Sequence, residues 1–141
     1  VSTGDRLQVH ELHACADPDC LGKVHCLLED MWAGSPDVSA TDRAMFETAV
    51  IEIAANIVQH GTAEGPVNCN LTLEVYPDRL DARFKDDGLT AAVNLDTAAM
   101  PDALAESGRG LALAKAAVDV LSYERTNGAN HWTLRRSRTH D

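Results

Sequence analysis

Glu52, Asn56 and His60 recur every fourth residue within Phe46–Gly61 (FETAVIEIAANIVQHG). On a helix each such step advances about 40°, so the three side chains share one flank and climb roughly 12 Å. A carboxylate, a carboxamide and an imidazole along one ridge can hold a hydrated metal ion and a polyanion. Magnesium takes oxygen ligands and keeps several waters, which suits the amide oxygen of Asn56. Glu52 is placed to take a proton from water or from an acceptor hydroxyl. The same residues also suit an ordinary solvated helix flank.

Two more groups could do chemistry. Asp86-Asp87-Gly88 follows an alternating strand pattern. A carboxylate at a strand end can accept a hydrogen bond from an exocyclic amine, and glycine lets a ligand approach the backbone. The alternative is a plain turn. Gly108-Arg109-Gly110 stands just before an apolar helical pattern. Free N–H groups and the positive end of a helix form an anion site there, with Arg109 adding charge. The alternative is a pair of loop glycines. The P-loop signature is not met, because no Lys-Ser/Thr follows the glycines.

The elements that must position these groups are legible in the periodicity. Arg6 to Leu12 reads as a first strand. Asp17-Pro18 opens a helix with an N-cap acid and a proline at the first position; Leu21, Val24, Leu28 and Met31 keep its spacing and Gly34 ends it. Ser39-Ala-Thr-Asp42 resembles a capping box that starts the helix of the ridge, whose apolar stripe is Phe46, Val50, Ile53 and Ile57. Val67 to Tyr76 alternates as a strand with one wet face, and Leu80, Ala82 and Phe84 mark its hairpin partner. Leu89 to Ser107 is alanine-rich and has no clear period. Leu111, Leu113, Ala114, Ala117, Val118 and Leu121 form an amphipathic helix. Asn127-Gly128 joins Ser122–Thr126 to Ala129–Leu134 in a second hairpin. Arg135 to Asp141 reads as a frayed polar tail. Antiparallel strands with helices on one face make an α+β fold, a two-layer α/β sandwich, in a single domain over residues 1–141.

Composition narrows the function. The formal net charge of −10 argues against nonspecific nucleic-acid binding, which needs Lys and Arg to neutralise phosphates. No apolar run approaches the roughly 20 residues that cross a bilayer, and no signal segment opens the chain, so no membrane partner is expected and the expected location is cytoplasmic. Cys15, Cys20, Cys26 and Cys69 form no CxxC pair and read as reduced thiols. With His10, His13 and His25, the first three make a cluster of metal-ligating types without paired ligand spacing.

The three groups, in this order and context, resemble the boxes of the GHKL ATPase superfamily, the ATPase domains of gyrase, heat-shock chaperones, histidine kinases and mismatch-repair proteins. Glu52 to His60 looks like its N box, Asp86-Asp87-Gly88 like the start of its adenine-recognition DxGxG box, and Gly108-Arg109-Gly110-Leu111 like its phosphate-binding glycine box. The resemblance spans about Leu7 to Leu134 and implies the Bergerat fold. The short Glu-x-x-x-Asn-x-x-x-His form is similar to bacterial anti-sigma-factor serine kinases. It implies ATP and Mg2+ as cofactors, with Asn56 on magnesium, Glu52 as general base toward a serine hydroxyl of an antagonist protein, and His60 near the phosphates. Asp86 would take the adenine amino group, with Gly88 giving room beside the base. Gly108 and Gly110 would supply phosphate-binding backbone with Arg109 beside it, and Leu89 to Ser107 would be the lid. The implied partners are a sigma factor and its antagonist, and an exposed face of the strands or first helix could support a homodimer. Thr90 stands where the second glycine of DxGxG is expected. That departure keeps a second reading open, a nucleotide-sensing module with weak catalysis. A third is an interaction protein stabilised by metal at the His/Cys cluster.

Overall fold

Strand alternation and helix caps resolve into eight elements in a computed structural model that describes residues 5–15, 17–61, 67–88 and 106–139. They are β1 (Gln8–Cys15), α1 (Pro18–Ala33), α2 (Ala40–Gly61), β2 (Asn68–Val75), β3 (Arg79–Asp86), α3 (Glu106–Ala117), β4 (Val120–Thr126) and β5 (Ala129–Ser137). The strands form one sheet in the order β1-β2-β3-β5-β4, with every neighbouring pair antiparallel. This is the expected α+β sandwich.

Parity decides which strand residues meet the helices. Cys69, Leu71, Leu73 and Val75 on β2 align with Asp86, Phe84, Ala82 and Leu80 on β3. Asn130, Trp132 and Leu134 on β5 continue those rows. Against them pack Val24, Leu28 and Met31 of α1 and Phe46, Val50, Ile53 and Ile57 of α2, all buried. Full burial of each large apolar side chain contributes about 1.5–3 kcal/mol. Trp32 meets Phe46 edge-on with ring centroids 6.1 Å apart, tying α1 to α2.

Local signals behave as their chemistry requires. Asp17 caps α1, its Oδ1 accepting from the Cys20 N–H at 3.1 Å. Asn127 and Gly128 both have positive φ, 50° and 77°, as a type I′ hairpin demands.

Several expectations need correction. The third helix stops at Ala117 and leaves out Val118 and Leu121, because Leu121 lies on β4 and pairs with Leu134. The first strand runs from Gln8 to Cys15 rather than Arg6 to Leu12, because its ends are set by pairing with β2, from Gln8 opposite Val75 to Cys15 opposite Asn68. Arg6 lies outside the ladder and pairs with Glu74 at 3.1 Å. The wet face of β2 is not wet throughout. Glu74 is buried beneath Arg6 and Arg83, and its neighbour Asp81 beneath Arg79 and Arg135.

The capping box is half formed. Ser39 Oγ accepts from the Asp42 N–H at 3.1 Å. The Asp42 carboxylate turns inward instead and accepts from Arg136 Nε at 2.9 Å, from the Thr139 N–H at 2.8 Å and from the Thr139 hydroxyl at 3.1 Å. For the same reason the polar tail does not fray at Arg135. β5 continues to Ser137, and Arg135, Arg136 and Arg138 pair with Asp81, Asp42 and Asp37.

Candidate active site

Asp86 closes β3 on the helix-facing side, opposite Cys69 on β2 and Asn130 on β5. It is 3% exposed, so its hydrogen bonds must come from protein or ligand. Oδ1 accepts twice, from the Gly88 N–H at 3.0 Å and from Asn130 Nδ2 at 2.9 Å. Oδ2 is buried and has no hydrogen-bond partner among the described residues. A buried acceptor left unmade costs about 1–3 kcal/mol or more for a charged group. An N–H donor, such as an exocyclic amine, suits that acceptor chemically.

Asp87 does different work. Its Oδ1 accepts from the Asn68 N–H at 2.8 Å and its Oδ2 from Asn68 Nδ2 at 3.1 Å, stitching the turn to the start of β2. Of two adjacent acids, one is aimed into the sandwich and the other holds the turn, as strand parity requires.

Glu52 and Asn56 lie half-buried on α2, and α2 packs along α3. Gly110 on α3 explains the closeness. A Cβ there would stand 2.6 Å from Glu52 Oε2, so the carboxylate rests where only glycine leaves room. This contact brings the first and third sequence groups together. Among the described residues, no hydrogen bond from the Glu52 or Asn56 side chain competes for them. The backbone of His60 continues the ridge within α2; its side chain, like that of Arg109, lies outside the described residues.

The glycine motif does not precede its helix. α3 begins at Glu106, which puts Gly108 and Arg109 inside the first turns and Gly110 fifth. Free N–H groups belong to the first turn of a helix, so Gly108 falls among them and Gly110 lies at their edge. Thr90 and the proposed lid up to Ala105 lie outside the described residues.

Beneath the Asp86 end, Cys20 and Cys69 share a buried spot. A hydrogen bond from Cys69 holds the Cys20 thiol down to about 7, against burial. That same hydrogen bond, with burial, pushes the Cys69 thiol up. The rest of the His/Cys cluster is dispersed. His10 bonds Gln8, His13 bonds Asn70, and Cys26 is exposed on α1. Among the described residues no three His, Cys, Asp or Glu converge on a metal position. Nor is any helix there long and apolar enough to cross a membrane.

Sequence reasoning missed Asn130, which bonds Asp86, and Arg125 and Tyr123, which bond Asn130 in turn. Arg125 Nη1 donates to Gly88 O at 2.9 Å and to Asn130 Oδ1 at 3.0 Å, and the Tyr123 hydroxyl donates to the same oxygen. A partial signal existed. Counting back from Trp132 by strand parity puts Asn130, a polar residue, on the apolar face.

The family profile described as the histidine kinase-like ATPase domain matches residues 15–136. No curated protein matches the chain. Among solved structures, the chain is similar to the RsbU and RsbW domains of Rv1364c from Mycobacterium tuberculosis, with 21% identity and a TM-score of 0.64. That match covers 93% of this chain and 33% of the other, so the chain spans about a third of its length. The histidine kinase AdeS of Acinetobacter baumannii is matched at 16% identity and a TM-score of 0.49, over 92% of this chain and 68% of that one.

Proposed function

Because the chain belongs to the histidine kinase-like ATPase domain family, we propose that it is an ATP-dependent serine/threonine protein kinase acting as a cytoplasmic anti-sigma factor. It phosphorylates an antagonist protein and sequesters a sigma factor. The observation that carries the reading is the Glu52 carboxylate resting on Gly110, which joins a proton acceptor to the glycine motif of α3. The Glu-x-x-x-Asn-x-x-x-His form of the ridge supports the serine-kinase type.

Each residue then has a task. The free Oδ2 of Asp86 accepts from the adenine amino group, and Gly88 leaves room beside the base. Gly108 presents a free N–H to the phosphates, Gly110 leaves room for their approach beside Glu52, and Arg109 and His60 are assigned nearby. Asn56 would hold magnesium, which neutralises phosphate charge when bound. As the serine oxygen of the antagonist bonds to the γ-phosphorus and ADP leaves, Glu52 takes the hydroxyl proton.

Calorimetry with ATP and ADP, with and without Mg2+, tests the reading. ATP is expected to bind at least tenfold more tightly with Mg2+, and Asn56→Ala to lose most of that difference. An Asn56→Ala protein with the full Mg2+ effect would put the ion elsewhere. Gly110→Ala gives a second test. Alanine stabilises a helix interior by about 1 kcal/mol relative to glycine, and the atom it meets is the end of a flexible side chain. Tm is therefore expected to hold or rise. Phosphate transfer is expected to fall about ten- to a hundredfold, because displacing a catalytic group by ~1 Å costs that much. Unchanged transfer would mean that Glu52 acts from another position.

Thr90 favours a second reading, a nucleotide-sensing module without useful catalysis, since a β-branched residue restricts backbone where glycine is expected. Tight ATP binding with no transfer to any antagonist would select it.

A further inference from the structure

Asp86 has two oxygens with opposite fates, and its neighbours on β4 and β5 decide which is which. Oδ1 is saturated by two donors, the Gly88 N–H and Asn130 Nδ2. Both donors are held by one side chain. Arg125 Nη1 donates to the carbonyl of Gly88, fixing the turn, and to Oδ1 of Asn130, fixing the carboxamide. A guanidinium only donates, so the Asn130 oxygen must face Arg125 and its NH2 must face Asp86. The opposite flip would set NH2 against guanidinium and carbonyl against carboxylate. The Tyr123 hydroxyl donates to the same Asn130 oxygen, and its ring is braced on Trp132 at 4.7 Å between centroids. Asn130 is 2% exposed, so water is a poor substitute for these partners.

We infer that Arg125, Tyr123 and Asn130 are positioning residues that set base selectivity, by saturating Asp86 Oδ1 and leaving Oδ2 free for the exocyclic amine of a purine. The inference rests on the proposed ATP site and adds to it a relay outside the three sequence motifs. Arg125 reaches the site from the strand β4 at the sheet edge, so it acts through Asn130 and Gly88 rather than on the nucleotide. Without it, the Asn130 amide can flip and the Gly88 turn loosens. Asp86 then loses the constraint that separates its two oxygens.

The test compares ATP with purine riboside 5′-triphosphate, which lacks only the amino group. Affinities of the full chain are measured by calorimetry with Mg2+. The wild type is expected to prefer ATP about tenfold or more, the usual value of a hydrogen bond to a charged group. In Arg125→Met, which keeps the stem and removes the donors, the preference is expected to fall to about threefold or less. Affinity for the analogue should change less than about twofold. Asn130→Asp, which sets a carboxylate against Asp86, is expected to abolish the preference. Tyr123→Phe removes a single hydroxyl, is the gentlest on folding, and is expected to reduce the preference two- to threefold. Equal loss of both ligands in the variants would mean a merely structural role and overturn the inference. A full preference surviving in Arg125→Met and Asn130→Asp would overturn it while leaving the ATP site standing. A wild-type chain that binds neither triphosphate would remove the ATP site itself and the inference with it.

Discussion

Glu52→Ala is expected to lower phosphate transfer to the antagonist by about 10²- to 10⁴-fold, the usual contribution of a positioned general base. ATP affinity should stay within about threefold, because adenine and phosphate contacts are assigned to Asp86 and α3. The separation follows from where Glu52 sits. It is half-buried on α2, its Oε2 rests on Gly110, and no described side chain ties it down. Such a group is free to accept a proton. Glu52→Gln is the sharper variant, since it keeps the shape and removes the basic oxygen. Single-turnover transfer of labelled phosphate, with ATP binding measured on the same protein, reads both quantities. Transfer by Glu52→Gln at the wild-type rate would assign the base elsewhere. A parallel loss of ATP affinity would make Glu52 a binding residue.

Asp42→Ala is expected to destabilise the fold by about 3–5 kcal/mol, the range for removing one partner from a buried ion pair. Asp42 is fully buried and accepts from Arg136 and twice from Thr139, so it fastens α2 to the last strand. Its loss strands the Arg136 guanidinium, which among the described residues then keeps only the Ala117 carbonyl at 2.8 Å. For a chain of this length the drop in Tm is on the order of 10 °C. Thermal unfolding by circular dichroism measures it, and a change below about 1 °C would show the bond network to be dispensable. The pH dependence has a defined sign. Burial raises the Asp42 carboxyl, but the Thr139 N–H, Arg136, Ser39 and the Thr139 hydroxyl outweigh it and hold the carboxyl below its ordinary value. A depressed carboxyl stabilises fully above the unfolded-state pKa of about 3.9 and loses that contribution as pH falls through the folded value. The wild type should therefore lose more stability than Asp42→Asn as pH falls below about 4.

Both predictions rest on residues that the sequence made visible to different degrees. The placing of Glu52 on one flank with Asn56 and His60 could be read from spacing alone, because a helix converts sequence spacing directly into a shared face, whereas its role as a base came only with the other two groups and the resemblance. Asp42 was visible only as a helix cap. Its cap geometry is local, but the partner that claims its carboxylate lies 94 residues away. Arg135 and Arg136 looked like a loose tail for the same reason, since nothing in their neighbours discloses the acids they meet. In the Asp86-Asp87 pair, both residues read alike as acids before a glycine. Pairing of β3 with β2 and β5 turned one inward and the other outward.

By itself, then, the sequence determined whatever short-range geometry encodes. That includes the alternation of the strands, the caps of α1, the Asn127-Gly128 turn and the helical spacing of the ridge on α2. Helix and strand periods are properties of a few consecutive residues, and so are turns that need positive φ. Tertiary structure alone decided the order β1-β2-β3-β5-β4, the early start of α3, the packing of Gly110 on Glu52, and the Arg125–Asn130–Asp86 relay. Each of these depends on segments far apart in the chain meeting in one register. Burial then presses polar groups at the meeting point to find partners, and Asp86 Oδ2 is one that finds none among the described residues.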